Sequence, residues 1–183
     1  MNYKLSCIFT ALLVTFSASY ASAQRTMSGR SSLRVSTLFN GRFVSAEAFY
    51  EQYTLGGYWN TGLTSDVFQL DARTISVDMA DIAASGGYMQ RIAATRSRNL
   101  NLYVGGGILA GVELLDPLKR MPTYMTSGVK NVDFIYGLYA GMSAEWFWTK
   151  RVGAVFQASV PFVFNSYGPA IRWNVGAGIK IVL

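Results

Sequence analysis

The chain has no histidine and only one cysteine in its 183 residues, so two residue types common in catalysis and metal binding are nearly missing. The lack of histidine excludes a Ser-His-Asp triad, imidazole acid–base catalysis and histidine-ligated metals. The lone Cys7 excludes an internal disulfide and a cysteine-based metal site. We therefore expect no catalytic, cofactor-binding or metal-binding residues, no cofactor, no small-molecule substrate and no enzymatic activity.

Long apolar runs are also scarce, although 51% of the residues are hydrophobic and the mean hydropathy is +0.23. Beyond residue 23, no segment offers the roughly 18 consecutive apolar residues of a membrane helix. High hydropathy without such a run is typical of a transmembrane β-barrel, whose lipid-facing residues occupy every second position. The net charge of +6 comes from scattered Arg and Lys, so we expect no direct binding of nucleic acid.

The first residues have the pattern of a cleaved signal peptide. Lys4 supplies a positive start, and the apolar run from Cys7 to Phe16 precedes the small residues Ala21-Ser22-Ala23. This run is short for a membrane anchor, which is the alternative interpretation. We expect export, cleavage near Ala23/Gln24 and loss of Cys7, which divides the chain into a signal peptide over 1–23 and one domain over 24–183.

The last thirteen residues alternate between apolar and mostly polar or glycine positions, with Val182 as the exception. Side chains of a strand alternate between its two faces, so this pattern predicts a closing strand with one lipid-facing side. The apolar positions of this segment are Ile171, Trp173, Val175, Ala177, Ile179, Ile181 and Leu183.

The same alternation predicts an all-β fold, an eight-stranded antiparallel transmembrane β-barrel of the outer-membrane type. A soluble β-sandwich is the alternative, but its apolar faces would need a second sheet to cover them. The predicted strands cover residues 33–40, 43–53, 58–68, 80–92, 100–114, 133–148, 152–164 and 171–183. With the N-terminus in the periplasm, the outer connections are about 40–42, 69–79, 115–132 and 165–170, and the inner ones are about 54–57, 93–99 and 149–151.

The lumen of an eight-stranded barrel is just wide enough to be filled by side chains, so its charges must neutralise one another. This favours a closed lumen over a catalytic or ion-conducting one. Glycines such as Gly137 and Gly176 either make room for long inward side chains or mark bends in the strands. The predicted inward polar residues are Arg34, Glu47, Glu51, Asp66, Arg91, Glu113, Glu145, Gln157, Arg172 and Lys180.

Four further motifs give little indication of chemistry. Gly105-Gly106-Gly107 lies within a strand and lacks the lysine of a phosphate-binding loop. Asp78 and Asp81 form a carboxylate pair with nothing nearby to complete a cation site. Arg96-x-Arg98 and Lys150-Arg151 fall on predicted inner turns, where they either contact headgroups or a partner or are simply solvated.

Several motifs in the second half occur in the order of one known family. They are Gly86-Gly87-Tyr88, Arg96-Ser97, Gly105-Gly106-Gly107, Leu109-Ala110-Gly111-x-Glu113, Asp133-Phe134-Ile135-Tyr136-Gly137, Glu145 and Gly176-Ala177-Gly178-Ile179-Lys180. This series resembles the conjugal transfer protein TraO family of conjugative transposons, most closely over residues 80–183.

The resemblance implies an outer-membrane component of a conjugative, type IV secretion-like DNA-transfer apparatus. Such a component would be structural and anchoring, with the lipid bilayer and other conjugal transfer proteins as its partners. The alternative is a general small outer-membrane barrel that acts as an adhesin or surface-interaction protein through outer loops such as 116–131.

Overall fold

In the computed structural model, which describes residues 28–41, 43–72, 75–95, 99–115 and 132–183, one antiparallel sheet of eight strands closes on itself. Each strand pairs with the next in sequence, and β1 pairs with β8 to complete the barrel. The predicted fold class is confirmed. The strands are β1 Ser31–Phe39, β2 Phe43–Tyr53, β3 Gly57–Ala72, β4 Ile75–Ala94, β5 Leu100–Leu115, β6 Val132–Phe147, β7 Val152–Phe164 and β8 Asn174–Val182.

Compared with a soluble protein, the barrel has its apolar side chains on the outer surface and its charged side chains in the interior. Large apolar side chains such as Val44 and Ile179 are exposed on the wall, whereas Glu51 and Lys180 are completely buried in the lumen. A soluble protein rarely buries charged side chains or exposes so continuous an apolar surface. The wall is therefore suited to contact lipid, as in outer-membrane barrels. In the part of the chain that the structure describes, no helix has the length and apolar character to cross a membrane.

Aromatic side chains mark both ends of the apolar wall. At the end where β1 begins and β8 ends, here called the inner end, Trp146 and Trp148 pack with ring centroids 5.8 Å apart. At the opposite, outer end, Tyr136 packs between Phe134 and Phe164. Such rings prefer the two membrane–water interfaces.

The long connection predicted over residues 69–79 is wrong. The ladder between β3 and β4 continues through Gln69↔Asp78 to Ala72↔Ile75, so the connection shrinks to residues 73–74. Apolar and polar residues alternate in this stretch too, but the apolar positions are out of phase with the lipid-facing positions of β3 and β4. The change of phase therefore concealed the continuation of the two strands.

The predicted start of the last strand at residue 171 is also wrong. The regular ladder begins at Asn174, and Ile171 makes only an isolated bridge to Phe162. The preceding residues leave the sheet so that the Arg172 side chain enters the lumen, where it is 1% exposed. The signal peptide 1–23, the connection 116–131 and the Arg96-x-Arg98 motif lie outside the described residues.

Some glycines permit very close contact between neighbouring strands. A Cβ atom on Gly176 would lie 2.0 Å from the Thr37 carbonyl oxygen. On Gly87 it would lie 2.3 Å from the Gly106 oxygen and 2.5 Å from the Tyr139 hydroxyl. At both positions the missing Cβ atom lets the neighbouring backbone approach closely. At Gly87 it also makes room for the inward side chain of Tyr139.

Candidate functional site in the lumen

Near the inner end, a buried cluster joins strands from several sides of the barrel. Lys180 of β8 contacts the carboxylates of Glu51 on β2 and Glu145 on β6. The ammonium group also donates to the Tyr53 hydroxyl at 3.0 Å, and this hydroxyl donates to Glu145 at 3.0 Å. We call Arg34, Glu51, Tyr53, Glu145 and Lys180 the inner network.

Glu51 holds two like charges together in this network. Arg34 and Lys180 lie directly opposite each other in the β1–β8 register, an unfavourable arrangement on its own. The Glu51 carboxylate contacts both cations, with its Oε1 atom 3.0 Å from Arg34 Nε and its Oε2 atom against Lys180 Nζ. Ser32 donates a further hydrogen bond to Oε2 at 3.0 Å, so contacts from β1 and β8 fix the carboxylate that β2 carries.

Aromatic rings complete the closure of the inner end. The Lys180 Nζ atom lies 4.5 Å from the centre of the Tyr58 ring, and the Tyr58 hydroxyl is 3.1 Å from Ser143 Oγ. Tyr58 packs edge-on against Tyr53 and Tyr103 with ring centroids 5.4 and 4.8 Å apart. Cations over aromatic faces are stabilised further when both are desolvated. The lumen is consequently filled across its width at this level.

At the outer end a second cluster surrounds a single cation. The Arg172 guanidinium contacts Asp81, and its nitrogens lie 3.6 Å from Asp66 and 3.7 Å from Glu113. Its plane covers the Phe68 ring, with 4.7 Å between Cζ and the ring centre. We call Asp66, Asp81, Glu113 and Arg172 the outer network.

The segment between β7 and β8 folds over the outer mouth and is tied to this network. Ser166 Oγ donates to the Glu113 carboxylate and accepts from Arg172 at 2.8 Å. The Tyr167 backbone N–H donates to the same carboxylate at 2.8 Å, and Arg172 Nε donates to the Pro169 carbonyl at 3.1 Å. Residues 165–173 therefore cover the lumen at this end.

Between the two networks lies a small cavity of about 80 Å³. Glu47, Gln157 and Ser36 form a hydrogen-bonded group beside it, and Tyr139 donates to Asn60 at 2.9 Å across it. The volume corresponds to only a few molecules the size of water. In the described part of the barrel, this small cavity lies between two levels at which buried ion pairs cross the lumen.

Most of the predicted inward residues meet in these clusters, but two differ from expectation. Arg91 lies at the inner end beside an irregularity in the β4–β5 ladder, and its guanidinium donates to the Leu55 carbonyl at 3.1 Å. Asp81, which was predicted only as half of a carboxylate pair without a cation site and not as a lumen residue, is 3% exposed and contacts Arg172. Alternation gives the signal for Asp81, because its neighbours Ala80 and Ile82 belong to the outward face.

The lumen carries an excess of carboxylates, although its charges were expected to neutralise one another. Among the described residues, three cations face six carboxylates. Even so, no described group of three His, Cys, Asp or Glu side chains is arranged to hold a metal ion. The arrangement links strands across the lumen through ion pairs. The cations are Arg34, Arg172 and Lys180, and the carboxylates are those of Glu47, Glu51, Asp66, Asp81, Glu113 and Glu145.

Comparison with solved structures shows similarity to outer-membrane barrels. The N-terminal β-barrel domain of Pseudomonas aeruginosa OprF matches with a TM-score of 0.54 and 9% identity, over 85% of this chain and 98% of that one. Ail, the attachment invasion locus protein of Yersinia pestis, matches with a TM-score of 0.48 and 12% identity, over 85% of this chain and 100% of that one. At these identities the likeness shows the fold alone.

Comparison of sequences gives the family. No curated protein matches the chain significantly. The family model described as conjugative transposon protein TraO matches residues 33–183, which includes all eight strands except the first two residues of β1. The chain therefore belongs to the conjugative transposon protein TraO family.

Proposed function

We propose that this protein is an outer-membrane component of a conjugative DNA-transfer apparatus of the type IV secretion kind. In this proposal it anchors or organises the apparatus, is exported with removal of a signal peptide near Ala23/Gln24, and catalyses no reaction. The family match supports the link to conjugation. The apolar wall between two aromatic belts supports a position in the outer membrane.

The closed lumen is the main observation in favour of a structural role in which the barrel conducts nothing. Both ends are crossed by buried ion pairs, with Lys180 fully buried at one level and Arg172 1% exposed at the other. Duplex DNA needs a passage far wider than the lumen of an eight-stranded barrel. Transferred DNA therefore passes elsewhere, and the contribution of the barrel is made through its wall, rims and connections.

A deletion of the gene in the donor cell, followed by mating, tests this proposal. We expect the transfer frequency to fall and to recover when the gene is supplied from a plasmid. Normal transfer from the deletion strain would contradict the proposed role. Fractionation of the complemented strain should place the mature protein in the outer membrane, and recovery in the aqueous fraction without detergent would contradict the membrane assignment.

A second pair of strains distinguishes an anchor from a conduit. The double variant Lys180→Met/Glu145→Gln changes the lumen without touching the wall or the rims. An anchoring role predicts transfer within about twofold of the wild type, provided that the variant barrel assembles. A strong change in transfer by an assembled variant would indicate that material passes through the lumen.

A further inference from the structure

The inner end of the barrel carries exposed cations that neither network uses. Arg30 precedes β1, and Lys150 and Arg151 lie on the turn between β6 and β7. All three are exposed, and no side-chain partner is found for them among the described residues. We call these three residues the basic rim.

The backbone places two of these residues on the lumen side of the wall. Tyr53 N–H donates to the Arg30 carbonyl at 2.9 Å, and Val182 N–H donates to the Arg151 carbonyl at 2.7 Å. Tyr53 and Val182 both point inward and are buried. Paired residues of neighbouring strands share a face, so Arg30 and Arg151 lie on the side of the barrel mouth rather than the lipid side.

Hydrogen bonds hold the turn that carries Lys150 and Arg151 in one conformation. Thr149 Oγ1 accepts hydrogen bonds from the backbone N–H of Val152 at 2.8 Å and of Arg151 at 3.2 Å. A turn held in one conformation loses little entropy when its side chains bind a partner. The side chains of Lys150 and Arg151 therefore extend from a turn whose backbone is already fixed before a partner binds.

The described part of the inner end has no exposed acidic side chain that could pair with the basic rim. In the described part of the inner end, the only acidic side chains are Glu51 and Glu145, which are buried and already paired with Lys180. At the outer end, β4 and β6 carry Asp78 and Asp133 instead. The inner mouth is therefore a positively charged surface, and such a surface attracts and orients an acidic partner.

We propose that the basic rim docks an acidic polypeptide segment of a periplasmic partner protein. This inference rests on the proposed function, which requires contact between the barrel and the rest of the apparatus. Phospholipid headgroups fit less well, because Arg30 and Arg151 lie on the mouth side of the wall. Nucleic acid also fits less well, because three cations neutralise few phosphates and give weak binding at physiological salt.

Binding of a defined acidic peptide to the purified protein tests the proposal. The probe is a labelled twelve-residue peptide of alternating Asp and Ser, and the matched control peptide has Asn in place of Asp. In neutral detergent we expect the acidic peptide to bind and the Asn peptide to bind at least tenfold more weakly. Binding should weaken as salt screens the exposed charges.

The double variant Lys150→Gln/Arg151→Gln should bind the acidic peptide about tenfold more weakly, because each exposed ion pair contributes modestly to affinity. The control Lys119→Gln/Arg120→Gln removes the same charge from the segment that joins the outer ends of β5 and β6, and it should bind like the wild type. Equal binding by the rim variant, or equal binding of the two peptides, would overturn the proposal.

Two further probes identify the other possible occupants. The first probe is a short DNA duplex, and the second is phosphatidylglycerol in place of phosphatidylcholine in nanodiscs. The proposal would also be overturned if either probe bound more tightly than the peptide and its binding depended on Lys150 and Arg151. The mating test keeps the two proposals apart. Normal transfer after gene deletion rejects the transfer role alone, whereas a rim variant that binds the acidic peptide normally rejects the docking surface alone.

Discussion

The contribution of a buried carboxylate to the stability of the barrel depends on how many cations it contacts. Glu51 is fully buried and contacts two cations that stand opposite each other in the sheet. Glu47 is 3.7 Å from Arg34, retains some exposure and also accepts hydrogen bonds from the neutral Ser36 and Gln157. The same chemical change at these two positions therefore has very different consequences.

We predict that Glu51→Gln destabilises the barrel by about 3–5 kcal/mol, because it leaves Arg34 and Lys180 adjacent with one carboxylate fewer. Urea unfolding in lipid vesicles, followed by the fluorescence of the four tryptophans, measures this change. Glu47→Gln is the matched control and should cost clearly less. Equal losses for the two variants would show that the bridge between the two cations contributes nothing special.

A second residue-scale prediction concerns how the lumen charges depend on one another. Lys180→Met alone leaves Glu51 and Glu145 close together without their shared cation. Adding Glu145→Gln removes one of these carboxylate charges, so the double variant should be more stable than the single one. Additive destabilisation in the same urea experiment would contradict the coupling.

At the scale of elements, the alternation of side chains predicts strands where they cross lipid and fails where they leave it. The bounds of β2 and β7 are those predicted from the sequence, since both strands lie within the apolar wall. In the extension of β3 and β4 the apolar residues are out of phase with the lipid-facing positions, so the same signal does not continue into it. The fold of residues 165–173 also has no periodic signal, because it depends on contacts with Glu113 that are distant in sequence.

The extension of β3 and β4 should be dispensable for closure of the barrel. The pairing of β3 with β2 ends at Phe68, and the pairing of β4 with β5 begins at Met79. We predict that replacing residues 70–77 with an Asn-Gly turn leaves a folded barrel, because Gln69 and Asp78 are already paired.

Different gel mobility of unheated and heated protein in SDS checks whether the shortened barrel is closed. As a control, deletion of residues 65–68 and 79–82 removes a similar number of residues from within the wall. This control should not fold, because it interrupts the ladders to β2 and β5. Failure of the shortened hairpin variant to fold would mean that the extension itself stabilises the closed sheet.

At the scale of the whole molecule, charged side chains fall into two groups, those buried in the lumen and those exposed at the inner end. Among the described residues, the two networks use the buried cations to link strands, and the exposed Arg30, Lys150 and Arg151 lie at the inner mouth. The sequence predicted most of the polar lining, since those residues lie on the face opposite the apolar wall, but it missed Asp81. Which residues pair across the lumen was not predictable, because partners such as Arg172 and Asp81 are 91 positions apart.

The excess of carboxylates makes a specific prediction about ion conduction. The wild type should show no steady current in planar bilayers, because Lys180 and Arg172 each block the lumen at one level. The double variant Lys180→Ser/Arg172→Ser shortens both side chains and leaves six carboxylates against Arg34 alone. We expect it to conduct potassium in preference to chloride, since a narrow, low-dielectric lumen of one charge favours counter-ions.

The reversal potential in a potassium chloride gradient measures this preference, and gel mobility in SDS restricts the measurement to folded protein. The rim variant Lys150→Ser/Arg151→Ser loses the same charge outside the lumen and should remain silent. A silent lumen variant, or one that prefers chloride, would show that the two networks are not what closes the barrel. Conduction by the lumen variant alone would locate the closure in the contacts of Lys180 and Arg172, because the wall and the basic rim are unchanged.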